Sequence, residues 1–342
     1  MSISLLPAQR DRLAMSRSDA ETNIAEIAEA LRTQLDSRLR RRGFVVAMSG
    51  GIDSSVCAAL AVRAVGPGRV FGLFLPERDS EPESLTLASG LARQLGIQST
   101  IEDIAPILEG AGCYRRRDEA VRSVLPEFGT GWRFKIALPG DRLNSNRLNV
   151  YSVIAESPDG ERHVRRLTSE AYRQVVAATN FKQRTRKMME YYHADRLHYA
   201  VVGTPNRLEY DQGFFVKGGD GLADVKPIAH LYKTQVYTLA DALGVPRGIT
   251  SRTPTTDTYS LPQTQEEFYF SLPTATMDAM LHAHDRGLDP ATAAFELGFA
   301  TEQVERAFRE IEQKRATTRY LHLTPKLIEP VPAVALHEEP VL

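Results

Sequence analysis

The sequence predicts an α/β fold in which helices cover both faces of a parallel sheet. Three observations support this prediction. Short apolar runs alternate with helical segments along residues 44–104, and a further apolar run, Tyr199–Thr204, follows a long helical segment. The first strand-to-helix connection, at residues 49–51, contains two adjacent glycines. Strands that alternate with helices at this spacing form parallel sheets, and such sheets bind ligands beyond the carboxyl ends of their strands.

The first half of the predicted core spans residues 19–104, after an N-terminal extension of residues 1–18. Apolar side chains recur with helical spacing over residues 19–42, so we expect a helix that leads into a strand at 44–48. The remaining predicted elements are a helix, a strand, a helix and a strand, at Val56–Val65, Val70–Pro76, Ser80–Leu95 and Ser99–Ile104.

Residues 105–168 are less regular, and we interpret them as an insertion on the core. Two strand-like runs, Arg147–Ile154 and Glu161–Leu167, flank the sequence Pro-Asp-Gly at 158–160. A turn of this composition between two such runs is typical of a β-hairpin.

The second half of the predicted core, residues 169–262, contains a helix to about Ala194, the strand at Tyr199–Thr204 and a glycine-rich substrate loop. Residues 263–330 are expected to be helical, with a helix start at Asp289-Pro290 and a final amphipathic helix over Thr301–Arg315. Residues 331–342 are rich in Pro and Glu, and we expect a disordered tail.

Composition excludes several classes of protein. The 342 residues are 42% hydrophobic and 25% charged with a net charge of −1, which is ordinary for a soluble globular chain and gives no overall attraction to nucleic acid or anionic membranes. Two cysteines give neither metal-ligand spacing nor a disulfide framework, so we expect reduced thiols in a cytoplasmic protein. No apolar run reaches the ~18 residues of a membrane span.

The loop Ser49–Ser55, with the sequence SGGIDSS, is the most informative segment. Glycines let the backbone approach a ligand, hydroxyls donate hydrogen bonds, and the helix N-terminus that follows favours phosphate or pyrophosphate. The acid Asp53 fits such a site when a divalent cation bridges it to phosphate. The alternative is an ordinary Gly-Gly turn with an N-cap. The segment resembles the Ser-Gly-Gly-x-Asp-Ser loop of the ATP pyrophosphatase superfamily.

A second constellation begins where the strand at 199–204 ends. Its sequence, GTPNRLE at 203–209, continues through the glycine-rich run GFFVKGGDGLAD at 213–224 to LYK at 231–233. With the helix segment NFKQRTRK at 180–187 and Lys314-Arg315 near the end, this order of blocks resembles the ammonia-dependent NAD synthetase family over about residues 20–318. That resemblance implies the adenine nucleotide α-hydrolase-like, Rossmann-like form of the predicted fold, with an inserted hairpin region and a C-terminal helical part.

The resemblance implies a ligase that uses ATP and Mg²⁺. Such an enzyme adenylates the carboxylate of nicotinic acid adenine dinucleotide (deamido-NAD) and releases pyrophosphate. Ammonia then converts the acyl-adenylate to NAD and AMP. Free ammonia or a separate glutaminase chain would supply nitrogen, because no glutaminase domain precedes residue 44. The family also implies a homodimer, and the net charge of −1 leads us to expect no nucleic-acid or membrane partner.

The same resemblance assigns roles to individual residues. Pyrophosphate would contact Ser49, Gly50, Gly51, Ser54 and Ser55. Asp53 and Glu209 would hold Mg²⁺, Thr204 would lie near the adenosine, and Lys233 and Thr255 would contact phosphates. The catalytic set would be Asp53, Lys233 and Lys217. The acid substrate would contact Asn180, Arg184, Phe214, Asp220, Asp224 and Lys314.

Two departures from the family pattern leave alternatives open. The stretch after Asp257 reads SLPQTQEE at 260–267 where the family has a Gln-Thr-Asp-Glu block, and Gln313 replaces a His. The chain could therefore amidate a different carboxylate in a specialised pathway. A third interpretation treats Asp289–Arg315 as a helix-turn-helix on a nucleotide-sensing regulator.

Overall fold

The computed structural model describes residues 13, 15–138, 150–253, 255, 258–270, 272–329 and 331. The expected tail from residue 332 and most of the N-terminal extension lie outside these residues. No helix of the described part combines the length and the apolar character that crossing a membrane requires.

A four-stranded parallel sheet lies at the centre of the fold, and its strands follow the order Gln98–Ile101, Val70–Phe74, Phe44–Ala47 and Ala200–Val202. The predicted α/β class is therefore confirmed. In chain order, the elements of its first half are α1 (Arg17–Thr33, continued by a π-helical turn to Leu39), β1 (Phe44–Ala47), α2 (Ile52–Val65), β2 (Val70–Phe74), α3 (Pro82–Leu95) and β3 (Gln98–Ile101).

The middle region holds two helices and a second sheet. Its elements are α4 (Ala105–Gly110), α5 (Cys113–Arg122), β4 (Arg133–Ala137), β5 (Ser152–Glu156) and β6 (Arg162–Arg166). Strands β5 and β6 form the predicted hairpin around Pro158–Gly160, whereas β4, which pairs antiparallel with β5, was not expected. The predicted start of the first hairpin strand, residues 147–149, lies outside the described part.

The remaining elements return the chain to the central sheet and end in helices. They are α6 (Ser169–Leu197), β7 (Ala200–Val202), α7 (Arg207–Asp211), α8 (Lys233–Ala242), α9 (Arg247–Thr250), a π-helical turn (Glu266–Phe270), α10 (Thr274–Asp285), α11 (Pro290–Leu297) and α12 (Thr301–His322). Helix α12 extends seven residues beyond the predicted end at Arg315 because nothing in the sequence 316–322 stops it: there is no Gly or Pro.

Both faces of the central sheet are buried along β1, β2 and β7, as a parallel sheet requires, whereas the edge strand β3 is mostly exposed. Phe44 and Val46 of β1 pack in one core with α1, α2, α3 and α8, while Val45 packs on the opposite face with α4, α5 and α6. Separate apolar clusters hold the second sheet against α5 and α6, and helices α10–α12 against one another. This arrangement leaves the carboxyl ends of β1, β2 and β7 open on one edge.

Candidate active site

The Gly-Gly loop connects β1 to the N-terminus of α2 and has the tight shape that the sequence predicts. Gly50 has φ +78°, and a Cβ there would lie 2.4 Å from the carbonyl oxygen of Ser84, so only glycine fits. The hydroxyls of Ser54 and Ser55 donate to the Gly51 carbonyl at 3.1 and 2.8 Å. Ser54 also accepts from the Ser49 amide at 3.2 Å. These bonds hold the loop open toward the edge of the sheet.

Three charged side chains converge beside this loop from three elements. Asp53 lies in the first turn of α2, Glu209 on α7, and Lys233 at the first position of α8. Lys233 is 2% exposed and forms an ion pair with Asp53. Asn206, the N-cap of α7, donates to Asp53 at 3.3 Å and forms a capping box with Glu209. Parallel strands end at one edge, so residues 150–180 positions apart meet there.

The charges of this cluster do not balance. Two carboxylates share one ammonium group. Burial raises the pKa of Glu209 to about 7, and the neighbouring Asp53 carboxylate adds to that shift, whereas Lys233 and a 2.8 Å hydrogen bond from Gln265 oppose it. Burial acts against the Lys233 ammonium, but Asp53 and Glu209 outweigh it and raise the pKa of Lys233. A surplus of buried negative charge is what a divalent cation would relieve.

The donor set fits Mg²⁺ bound together with phosphate. Within the part of the chain that the structure describes, no group of three or more His, Cys, Asp or Glu side chains is placed to hold a metal ion. Mg²⁺ commonly takes one or two protein carboxylates and completes its shell with water and substrate phosphates. Asp53 and Glu209 are such a pair.

A large cavity of about 500 Å³ opens over the cluster. Asp53, Glu209 and Lys233 line one end of it, and its walls come from α6, the glycine-rich loop and the 249–269 segment. Of the residues that the sequence analysis assigned, the large cavity is lined by Ser49, Gly51, Asp53, Ser54, Asn180, Arg184, Thr204, Glu209, Phe214, Lys217, Asp220, Lys233 and Thr255.

A small cavity of about 230 Å³ adjoins the large one. Ser49, Ser54, Thr204 and Thr255 line both. The rest of its wall includes apolar residues at the ends of β1 and β2, namely Ala47, Met48, Leu73, Phe74 and Leu75. The wall also includes charged residues, namely Glu81, Arg186, Lys187, Glu190 and Asp220. A cavity with an apolar side that opens onto an anion-binding loop suits a flat heterocycle attached to phosphates.

Aromatic rings form the far wall of the large cavity. Phe214 stacks on Tyr269 with centroids 4.8 Å apart, and Tyr151 stacks on Tyr172 at 4.5 Å. Phe268 joins the two pairs, at 6.0 Å from Tyr151 and 5.9 Å from Phe214. Phe214, which the family resemblance assigns to contact with the acid substrate, is part of this wall. The other four rings were missed, because no sequence pattern links residues 151, 172, 268 and 269.

Some assigned residues lie elsewhere. Gly50 and Ser55 are buried within the loop and do not line either cavity. The Asp224 carboxylate accepts from the Val201 amide at 2.7 Å and the Tyr191 hydroxyl at 3.2 Å, outside both cavities. Lys314 donates to the Tyr269 carbonyl at 3.0 Å and pairs with Glu310, behind the aromatic wall.

Two residues of the glycine-rich loop line the large cavity but have protein partners. The Lys217 ammonium donates to the carbonyls of Tyr320 and Leu323, both at 2.8 Å, at the end of α12. The Asp220 carboxylate accepts from the Val216 amide at 2.7 Å, inside the loop itself.

Residues that hold the cluster were also missed. Asn206 and Gln265 bond directly to the two acids. An Asn followed three residues later by Glu is a capping-box pattern and could have identified Asn206. Nothing comparable marks Gln265, since it lies in the segment that departs from the family pattern.

This chain is similar to known proteins over most of its length. The family model described as NAD synthase matches residues 23–121 and 149–320. The NH(3)-dependent NAD(+) synthetase of Rhizobium rhizogenes is 53% identical over 315 residues, which cover 92% of this chain and 95% of the relative. The enzyme of the same name from Rhizobium meliloti is 55% identical, with 92% and 93% covered.

Solved structures share the fold at lower identity. The NMN synthetase of Francisella tularensis superposes with a TM-score of 0.61 at 23% identity, over 92% of this chain and 100% of that one. The NH3-dependent NAD synthetase of Campylobacter jejuni gives 0.57 at 19% identity, over 91% and 100%.

Proposed function

The chain belongs to the NAD synthase family, and from that premise we propose that it is a C–N ligase that amidates deamido-NAD with ammonia and consumes ATP. One observation carries the proposal beyond family membership. The Gly-Gly loop, two acids and a buried lysine meet at the mouth of a cavity of about 500 Å³. That combination suits transfer of an adenylyl group with loss of pyrophosphate.

The ATP end of the reaction would lie at the loop. The adenosine would occupy the small cavity near Thr204, and the phosphates would extend past Ser49, Gly51 and Ser54 toward Lys233 and Thr255. Gly50 and Ser55 would act indirectly, by shaping the loop. The Lys233 ammonium, desolvated and held by Asp53, would offset the charge that develops when the acceptor carboxylate attacks the α-phosphorus.

Mg²⁺ would be held by Asp53 and Glu209. When bound, it would neutralise charge on the phosphate oxygens and stabilise the leaving pyrophosphate. Glu209 must be ionised to bind it, so its raised pKa makes binding sensitive to pH near neutrality.

The acceptor would fill the large cavity. Its carboxylate must reach the α-phosphate beside Lys233, which leaves the rest of the dinucleotide to lie along Asn180, Arg184 and the aromatic wall. Phe214 would stack with a ring of the acceptor. Lys217 and Asp220 would shape the loop at this end. The positions of Asp224 and Lys314 fit support of the walls better than direct contact.

The assay uses purified protein with ATP, Mg²⁺, ammonium and deamido-NAD. We expect NAD and AMP in equal amounts and no NAD without ammonium. ADP in place of AMP would contradict the proposal. AMP formed only with another carboxylic acid would favour the specialised relative, and ATP-sensitive DNA binding without turnover would favour the regulator. The 53–55% identity to relatives named NAD(+) synthetase favours neither alternative.

We also propose that the enzyme is a cytoplasmic homodimer that takes free ammonia or ammonia from a separate glutaminase. Met188 and Tyr192, one turn apart on α6, are 53% and 57% exposed, which suits a contact between subunits. Cys57 and Cys113 are buried free thiols, as expected in a reducing compartment. Light scattering should give twice the chain mass, and Tyr192→Glu should reduce it. Glutamine alone should not replace ammonium.

A further inference from the structure

Arg252 is a cation beside the Gly-Gly loop to which the sequence and the family resemblance give no role. It follows α9 and lines the large cavity together with Ser49, Gly51 and Thr255. Its Nη1 donates to the Ser84 hydroxyl at 3.2 Å, and its Nη2 pairs with Glu81. Its side chain is 21% exposed, so it is neither buried in a core nor loose on the surface.

Ser84 links the guanidinium to the loop. This residue lines both cavities, and its carbonyl is the atom that a side chain at Gly50 would strike at 2.4 Å. The guanidinium therefore lies one residue away from the backbone expected to cradle pyrophosphate. Arginine offers several donors in a fixed fork, which suits contact with two phosphate oxygens.

The balance of charge at the loop calls for such a cation. Apart from the Asp53 carboxylate, the loop contributes only neutral N–H and O–H donors, whereas pyrophosphate carries about three to four negative charges. Among the described residues, four cationic side chains line the large cavity: Arg184, Lys217, Lys233 and Arg252. Arg184 and Lys217 lie on the glycine-rich loop side, where Arg184 donates to the Lys217 carbonyl at 3.3 Å. Lys233 is paired with Asp53, and the proposed function places it at the α-phosphate, which leaves Arg252 as the cation for the β- and γ-phosphates.

We propose that Arg252 is a phosphate-binding residue that is held by Glu81 in the free protein and transfers to the β- and γ-phosphates when ATP binds. This inference rests on the proposed function for the identity of the nucleotide. Glu81 is then a competitor for the guanidinium, because the carboxylate and the phosphate seek the same donors. Replacing Arg252 should therefore weaken phosphate binding, and replacing Glu81 should strengthen it.

The test measures binding of pyrophosphate with Mg²⁺ by calorimetry, which does not require turnover. Arg252→Ala should weaken binding about tenfold, the effect of losing one charge-assisted hydrogen bond. Arg252→Lys keeps the charge without the fork and should fall between. Glu81→Gln should tighten binding by about two- to fivefold. Arg247→Ala, an exposed arginine on the adjacent helix outside both cavities, is the matched control and should bind as the wild type does.

In turnover assays, Arg252→Ala should raise KM for ATP and leave KM for the acceptor unchanged. Equal weakening by Arg252→Ala and Glu81→Gln would show that the pair only braces the loop, and would overturn the inference. Wild-type affinity in Arg252→Ala would do the same. If the variants change pyrophosphate affinity as expected but the wild type makes no NAD, the proposed function is refuted and the inference about Arg252 stands.

Discussion

Two buried charge clusters in this protein contain the same residue types but differ in charge balance and in access to a cavity. One, the site cluster of Asp53, Glu209 and Lys233, borders the large cavity. The other, the closed cluster of Glu77, Asp79, Arg117 and Lys182, lies between the loop after β2, α5 and α6. In the closed cluster, two acids match two bases, and the side chains are 0–6% exposed. In the site cluster, two acids share one base.

The donors of the closed cluster are satisfied by its own acids, by the Thr258 carbonyl and by Asp118, which pairs with Arg117 at 2.8 Å. Lys182 donates to Glu77 at 2.8 Å, to Asp79 at 2.7 Å and to the Thr258 carbonyl at 2.6 Å. Arg117 pairs with Asp79 at 2.5 Å. Burial opposes ionisation of Asp79, but Lys182 and Arg117 outweigh it and lower the pKa of that carboxyl. The acid and base charges of the closed cluster therefore balance without a ligand. In the site cluster the pKa of Glu209 is raised instead, because the carboxyl is buried and one lysine does not balance two carboxylates. Imbalance beside a cavity therefore marks the site cluster as the candidate for function and the closed cluster as structural.

The largest expected effect is on the closed cluster. Lys182→Met should lower the free energy of unfolding by about 3–5 kcal/mol, because it leaves two buried carboxylates with one arginine. Urea unfolding measures this loss. The double variant Lys182→Met/Glu77→Gln should recover part of it by removing one of the unpaired charges. A loss below about 1 kcal/mol would mean that water reaches the closed cluster. The closed cluster would then not be the structural counterpart of the site cluster.

Asp53→Asn tests the site cluster, where we expect the opposite result: activity is lost and stability is kept. It should lower kcat about 10³-fold, the scale of losing one preorganised electrostatic group, while the fold is kept. Coupled detection of AMP gives the rate, and thermal unfolding gives the stability. Near-normal turnover in this variant would remove Asp53 from the metal site.

The pH dependence of stability should separate the clusters further. The pKa of Glu209 is about 7 against an ordinary 4.5, so the folded protein holds this proton more tightly than the unfolded chain does. The resulting stabilisation, on the order of 3 kcal/mol, is complete below pH 4.5 and is lost as the pH rises through 7. In Mg²⁺-free buffer, the difference between wild type and Glu209→Gln should follow that course.

Added Mg²⁺ should bind more tightly to the wild type as the pH rises through 7, since binding requires the ionised carboxylate. Glu209→Gln should lose this dependence. If the free energies of unfolding of the two proteins stay a constant amount apart between pH 4.5 and 7, the pKa of Glu209 is not raised in the folded protein.

The sequence predicts the site cluster far better than the closed one. Asp53, Glu209 and Lys233 each lie at or beyond the end of a strand or at a helix start, and the geometry of a parallel sheet brings such positions together. Lys182 lies 105 residues from Glu77, within a helix whose pattern gives no reason to expect a buried lysine. Its partners depend on how the middle region folds back, and that region has no periodicity strong enough to predict α4, α5 or β4.

Matching motifs also says less about side chains than about backbone. Asp224 falls in the expected place of the glycine-rich loop, yet its carboxylate accepts from the Val201 amide and Tyr191 rather than facing the cavity. Arg252 belongs to no motif and nevertheless lines the large cavity. Which way a side chain turns depends on competing partners from other elements, and one sequence does not record them.

The smallest expected effect is at the edge of the closed cluster. The Tyr114 hydroxyl donates to Glu77 at 2.8 Å, while the Arg78 guanidinium lies 3.8 Å from the centre of its ring. The hydroxyl also accepts from the Arg78 amide at a longer 3.4 Å. Tyr114→Phe should cost about 1–2 kcal/mol of stability, because both hydrogen bonds are lost and the ring contact is kept. The Thr258 carbonyl accepts from Lys182, and Thr258 lines the large cavity. A shift of the closed cluster that reaches this cavity should therefore change KM for the acceptor. An unchanged KM alongside the small loss of stability would show that the closed cluster only supports the fold, whereas a raised KM would make it part of the acceptor wall.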